Sequence, residues 1–229
     1  MATFISTRSE RLHSVLPTHT FSLHAQTSER RGEAEQAVKR IFRQVYSADI
    51  GDFSPMLLTA ERNDKIDTVI GLRNAAQDPL FLESYLDEPI EQLLKRQHNL
   101  TIERQGFIEL GNLVAIRSGS SRMLFIVLAF ALAKAGVKWA TFTATPEVTR
   151  LLTKLGLAPI AICKASRQAV VNGESQWGTY YDDAPTVCFG NVSSALKVMT
   201  KLPTVNAIYH TIEPVVNRLA AQITKGFRL

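Results

Sequence analysis

The stretch Gly106–Gly136, GFIELGNLVAIRSGSSRMLFIVLAFALAKAG, constrains what this chain can fold into more than any other. Its first part, Phe107–Ile116, is rich in β-branched and apolar residues and reads as a strand, with Gly111 in its middle. A glycine inside a strand often marks a bulge, or a place where something approaches the backbone closely. A small polar loop follows, Arg117-Ser118-Gly119-Ser120-Ser121-Arg122. A long apolar helix is expected from near Met123 to Gly136, with Lys134 in its last turn. Strand, tight Gly/Ser loop and helix in that order aim several backbone N–H groups at one point, which makes an anion site. Arg122 falls in the first turn, where a cation opposes the helix dipole; a bound anion would remove that misfit. A plain turn carrying a solvated arginine fits the spacing equally well.

The flanking sequence supplies the rest of an α/β pattern. Ala34, Ala37, Val38, Ile41, Phe42 and Val45 recur at helical spacing from Glu33 onward, with Arg40 and Arg43 on the opposite face. Met56–Glu61 and Ile66–Arg73 read as a hairpin across a polar turn. Asp78-Pro79 and Asp87…Pro89 each open a short helix with an acidic residue ahead of proline. Lys138–Thr145 is the next strand, with Trp139, Thr141, Thr143 and Thr145 on one face; Thr145-Pro146 then caps a helix that stops at Gly156. Pro159–Ala165, Tyr180-Tyr181 and Thr186–Gly190 are expected as the last sheet elements, and Asn172-Gly173 as a turn. Beyond them, Ser194–Thr200 and Glu213–Thr224 read as helices broken at Pro203, the second amphipathic and packed on the body. Residues 1–30 are polar, carry His13, His19 and His24 without metal-ligand spacing, and read as an arm. The expected organisation is an N-terminal arm (1–30), one mixed-sheet α/β domain (31–190) and a C-terminal helical extension (191–229).

Composition narrows the classes of function. The net charge of +5 over 229 residues suits an acidic carrier protein, a phosphorylated cofactor or an anionic membrane without choosing among them. No dense Lys/Arg run with interleaved aromatics occurs, which argues against nucleic acid. Cys163 and Cys188 lie in apolar, strand-like surroundings and read as free buried thiols; no metal site is expected. Arg8 and Arg11 precede no apolar segment of signal-peptide length, so the expected location is cytoplasmic. Leu124–Ala133 is wholly apolar but too short to span a bilayer.

The order of elements resembles the GNAT acyltransferase fold, in which a bulged strand runs into a phosphate-binding loop and helix. Lys154-Leu155-Gly156-Leu157 also resembles that fold. Four blocks are similar to the thermostable hemolysin family: LESYLDEPIEQLL (82–94), ELGNLVA (109–115), WATFTATPEVTRLLTKLGL (139–157) and WGTYYDDAPTVCFG (177–190). The same region, roughly 30–190, is more distantly similar to acyl-homoserine-lactone synthases, which share the fold, an acid in the central strand and an acyl-carrier donor. The loop departs from the GNAT pattern Arg/Gln-x-x-Gly-x-Gly/Ala: Ile116 stands at its first position and Arg117 one place late. What the resemblance implies is an N-acyltransferase that takes an acyl group from acyl-carrier-protein phosphopantetheine, or from acyl-CoA, and passes it to a small-molecule amine. The family name implies a different reading, a membrane-active lysin. A retained fold that only binds acyl or pantetheine groups is a third.

Candidate site residues follow. Strand alternation sets Glu109 on an apolar face with Phe107, Gly111, Leu113 and Ala115, where a desolvated carboxylate acts as a base toward an amine. A structural pair with Arg73 is the plainer alternative. Residues Arg117, Ser118, Gly119, Ser120, Ser121 and Arg122 are expected to hold the donor phosphate. Asn112, if turned by a bulge, Thr143, Thr145 and Tyr180 are expected at the substrate, and Tyr181 as the acid for the leaving thiolate. Packing alone also explains each tyrosine, and an N-cap explains Thr145.

Overall fold

The computed structural model describes residues 19–116, 120–170 and 176–229. Its strands are β1 (Thr20–His24), β2 (Met56–Arg62), β3 (Lys65–Asn74), β4 (Phe107–Ala115), β5 (Trp139–Ala144), β6 (Ile160–Lys164) and β7 (Thr186–Asn191). They form one seven-stranded sheet in the order β1-β2-β3-β4-β5-β7-β6. The expected hairpin is β2–β3, closed by Asn63 and Asp64 at φ 50° and 58°. A two-residue turn of that hand matches the strand twist, and Asn and Asp tolerate it.

β1 corrects the reading of residues 20–30 as part of an arm. It pairs antiparallel with β2, burying Phe21 and His24, and His24 Nε2 lies 3.1 Å from Thr59 Oγ1. A strand that satisfies an inward polar side chain by hydrogen bonding carries little hydrophobic pattern in its sequence.

Helix α1 (Arg31–Tyr46) buries Ala34, Ala37, Val38 and Phe42 and ends at Ser47 in the left-handed region. With α2 (Ile90–His98) it covers one face of the sheet, over a core that includes Phe107, Val114, Tyr180 and Phe189. The opposite face carries α3 (Ser120–Lys134), α4 (Pro146–Lys154), α5 (Val192–Met199) and α6 (Pro203–Phe227), over a core that includes Ile70, Ile108, Leu124 and Leu128. α3 is apolar nearly all round because the sheet packs on one side of it and α6 on the other. α6 starts at Pro203 and continues through Pro214, ten residues earlier than the amphipathic pattern from Glu213 implies. Proline is favourable in the first turn of a helix, where its missing N–H has no partner to lose. α6 is tied to β1 by Arg218, which donates to the Phe21 carbonyl at 2.7 Å. Among the described residues no helix is long and apolar enough to cross a membrane.

The sheet opens at its centre. β4 and β5 run parallel, paired from Phe107↔Trp139 to Leu110↔Phe142. Past that point β5 stays with β7 as far as Ala144↔Thr186, and β4 stays with β3. β4 there carries one extra residue: Gly71 pairs with Gly111 but Val69 with Val114, and Asn112 sits at φ 46°. The bulge reverses the side-chain alternation. Leu113 consequently faces the α3 side and Val114 joins the core on the Glu109 side, which corrects the expectation that Leu113 and Ala115 share a face with Glu109.

Candidate active site

A cavity of about 760 Å³ occupies the gap between the splayed ends of β4 and β5. On the α3 side its walls are Ile70, Leu110, Leu113, Phe125, Phe142 and Leu151. On the α1 side they are aromatic: Phe42, Tyr46, Tyr85, Trp177 and Tyr180.

Glu109 lies on the α1 side and is 5% exposed. Its Oε2 accepts from the Phe81 N–H at 2.7 Å and its Oε1 from the Leu82 N–H at 2.9 Å. These are the first two amides of the 3-10 turn Phe81–Tyr85, so the carboxylate caps that turn. The turn itself is braced by Glu83, which accepts from the N–H groups of Leu80 (3.2 Å) and Ile90 (3.1 Å) and is gripped by Arg104 at 2.7 and 3.0 Å. Burial pushes the Glu109 carboxyl up to about 7, against the pull of its two amide bonds and of Arg73. Arg73 is the register partner of Glu109 across β3–β4, yet its guanidinium donates to Asp52 (3.0 and 3.3 Å) and to the Pro79 carbonyl (3.2 Å). Arg73 therefore acts on Glu109 through space, and the plain structural pair is not what forms. A buried carboxylate whose pKa is brought near neutrality, on the wall of a cavity, has the properties of a general base.

Asn112 does turn at the bulge, but its amide is engaged by the segment above it. Oδ1 accepts from the Ser54 N–H (2.9 Å) and hydroxyl (3.0 Å), and Nδ2 donates to the Asp52 carbonyl (3.1 Å). Its work is to pin Asp52–Ser54 at the cavity edge. Gly71 is required beneath that segment, since a Cβ there would stand 2.4 Å from Ser54 Oγ. Thr143 and Thr145 both line the cavity; Thr145 caps α4 through a 3.4 Å bond from the Val148 N–H.

Of the loop residues expected to hold a phosphate, Arg117, Ser118 and Gly119 lie outside the described residues. Ser120 is buried, and its hydroxyl bonds Thr68 Oγ1 and the Asp67 carbonyl, so its side chain serves the junction with β3 rather than a ligand. Ser121 and Arg122, in the first turn of α3, line the cavity mouth. Two cations that the sequence reading passed over join Arg122 there: Arg150 and Lys154 of α4. Among the described residues none of the three has an ion-pair or hydrogen-bond partner. Exposed helix charges look like an ordinary solvated face in sequence; only the position of α4 beside the splay gives them a common direction.

Tyr180 and Tyr181 lie in a 3-10 turn, Tyr180–Asp183, rather than in the sheet. Tyr180 lines the cavity, whereas Tyr181 stands behind Tyr85 with their hydroxyls 2.7 Å apart. Burial pushes both phenols up. Phenols shifted in that direction are poor proton donors and good neutral hydrogen-bond donors. Cys163 and Cys188 are free thiols raised by burial, Cys188 to about 11, which is the wrong direction for a thiolate nucleophile. Among the described residues no cluster of His, Cys, Asp and Glu is placed to hold a metal ion.

The bulged β4, the splay against a parallel β5 and the helix starting at the splay define a GNAT-like α/β fold, the one found in acyl-homoserine-lactone synthases. LasI, an AHL synthase, superposes with a TM-score of 0.55 at 10% identity, over 78% of this chain and 94% of LasI. FeeM, an N-acyl amino acid synthase from uncultured soil microbes, gives 0.54 at 12% over 78% and 94%. BjaI, a CoA-dependent acyl-homoserine lactone synthase solved with SAM and isopentyl-CoA, gives 0.53 at 9% over 80% and 88%. No curated protein matches the chain in sequence. The chain belongs to the thermostable hemolysin family, whose sequence profile matches residues 24–196.

Proposed function

We propose that this protein is an N-acyltransferase that moves an acyl group from a phosphopantetheine thioester, on a carrier protein or on CoA, to a primary amine. The observation that carries the reading is Glu109: a buried carboxylate at the splay of β4 and β5, on a cavity wall, with its pKa raised by burial to about 7. The pantetheine arm lies in the splay, where β4 beyond Leu110 and β5 beyond Phe142 no longer bond to each other. Its phosphate meets Arg122, Arg150 and Lys154 at the mouth. The amine nitrogen attacks the thioester carbonyl carbon and gives its proton to Glu109. Tyr85 donates a hydrogen bond to the carbonyl oxygen as it gains charge, accepting in turn from Tyr181. The C–S bond then breaks and the sulfur leaves as a thiolate. With a thiol pKa near 8.5, that thiolate needs no strong acid and takes up the proton held on Glu109. Tyr181 is thus a support for Tyr85 in this reading, not the acid.

Thiol release from acyl-carrier and acyl-CoA thioesters in the presence of an amine mixture tests the proposal, and its pH dependence tests the base. Because Glu109 acts ionised and the amine must itself be unprotonated to attack, kcat/KM is expected to rise more steeply than tenfold per pH unit below about pH 7, and about tenfold per unit above it until the amine is deprotonated. Stability moves the other way. The folded carboxyl binds its proton more tightly than the usual 4.5, so stability from this group is full below pH 4.5 and is lost as pH rises through about 7. A profile of kcat/KM with no change of slope near pH 7 would remove Glu109 from the mechanism.

The donor site carries a separate prediction. Charge-assisted hydrogen bonds are worth about 1.5–3 kcal/mol each, so Arg122→Ala combined with Arg150→Ala is expected to weaken donor binding by about a hundredfold or more. All three cations are exposed, so folding should be unaffected. Calorimetry showing the same donor affinity in the double variant would displace the phosphate from this mouth.

A further inference from the structure

The two halves of the cavity differ in chemistry, and the difference bears on what the acceptor is. The α3 half is lined by aliphatic side chains and Phe125 and Phe142, a lining that suits an acyl chain. The α1 half is a box of aromatic rings. Trp177 stands 5.3 Å from Phe81, 5.3 Å from Tyr180 and 5.9 Å from Phe42, centre to centre, and Tyr46 meets Tyr180 edge-on at 5.3 Å. Phe42 and Tyr180 are buried, but Tyr46, Phe81 and Trp177 remain half-buried with the cavity beside them. Large rings left partly wet inside a concave site forgo burial that a ligand of matching shape restores.

The residues on either side of Trp177 are tied to the end of α1. The next residue, Gly178, has φ +51° and lies so close to α1 that a Cβ would be 2.0 Å from the Tyr46 carbonyl oxygen. Thr179 donates to that same carbonyl from its N–H (2.8 Å) and its hydroxyl (3.2 Å), and the Asp49 N–H donates to the Gln176 carbonyl at 2.8 Å. The end of α1 thus clamps the Trp177 segment at the box. Glu109 lies on this same side of the sheet and caps the turn that begins with Phe81.

We infer that the acceptor is a primary amine bearing an aromatic side group, its nitrogen at Glu109 and its ring packed against Trp177, Phe81 and Tyr46. This rests on Glu109 being the base of an acyl transfer, because that role is what brings the amine to the aromatic half. Aromatic amino acids and arylalkylamines share the chemistry, and the assay separates them.

The test is calorimetric titration of the full chain, without donor, with phenylalanine, phenethylamine, leucine, hexylamine, glycine and ethanolamine. Pocket contacts of this kind discriminate by about 10–200-fold. Phenylalanine or phenethylamine is expected to bind at least about tenfold more tightly than its aliphatic counterpart of similar size, and whichever of the two binds better shows whether a carboxylate is recognised. Trp177→Ala, and independently the milder Phe81→Leu, should reduce that preference in protein that melts as the wild type does. Equal binding of aromatic and aliphatic amines overturns the aromatic site and leaves acyl transfer standing. So does an unchanged preference in both variants. If aromatic amines bind as expected but no thioester yields an amide with them, acyl transfer fails instead, and the acceptor role fails with it.

Discussion

Glu109→Gln protein is expected to retain donor binding and to lose acyl-transfer rate by about 10²–10⁴-fold, the range for removing a positioned general base. Glutamine keeps the volume and cannot accept the amine proton. The substitution has a structural side as well. Both carboxylate oxygens accept from backbone amides, at Phe81 and Leu82, and a carboxamide offers one acceptor where the carboxylate offers two. One buried N–H then loses its partner, at about 1–3 kcal/mol, while the unfavourable burial of a charge above pH 7 is relieved. The two effects oppose, so the variant should melt within a few degrees of the wild type at pH 8. Glu109→Asp is the useful companion, because it restores an acid of ordinary chemistry on a shorter stem. If Asp recovers part of the rate and Gln does not, the carboxylate acts chemically. Equal losses in both would assign Glu109 to holding the turn at Phe81.

Gly178→Ala is expected to be strongly destabilising. The new carbon would stand 2.0 Å from the Tyr46 oxygen and 2.9 Å from Ser47 backbone atoms, at a φ that alanine disfavours. Backbone on both sides leaves no flexible side chain to give way. Destabilisation on the order of 3 kcal/mol is expected, a fall in Tm of about 6–12 °C for a chain of this size. Because the same segment sets Trp177 and Tyr180 in the cavity wall, acceptor affinity should fall further than donor affinity at temperatures where the variant is folded. A melting temperature within about 2 °C of the wild type would show that the Tyr46–Gly178 contact is not a tight one.

How much of this could be seen in the sequence depended on whether a residue announces its environment locally. The hairpin at Asn63-Asp64, the N-cap at Thr145 and the buried helix after the loop each follow from short-range rules, and each is present. The parallel pairing of β4 with β5 also follows, since a strand–helix–strand unit returns its second strand beside the first. Glu109 stood out because an acid on an apolar strand face is costly unless it is used or paired. What stayed hidden is set by contacts distant in sequence. Gly111 hinted at a bulge, but the register reversal that swaps Leu113 for Val114 depends on β3. Tyr180-Tyr181 looks like a strand because aromatics favour strands; the clamp to the end of α1 bends it into a 3-10 turn. Arg150, Lys154 and Tyr85 belong to the cavity only because α4 and the Phe81–Tyr85 turn converge on the splay.

The most direct test of acyl transfer at this cavity is mass-spectrometric detection of a new amide. The full chain is incubated with acyl-carrier and acyl-CoA thioesters and ¹⁵N-labelled primary amines, with lipid vesicles loaded with dye in a parallel tube lacking donor. The expected result is an amide carrying both the acyl group and the label, formed by wild-type protein and scarcely by Glu109→Gln, with the vesicles intact. Dye release without donor, together with no labelled amide from any thioester, would contradict it.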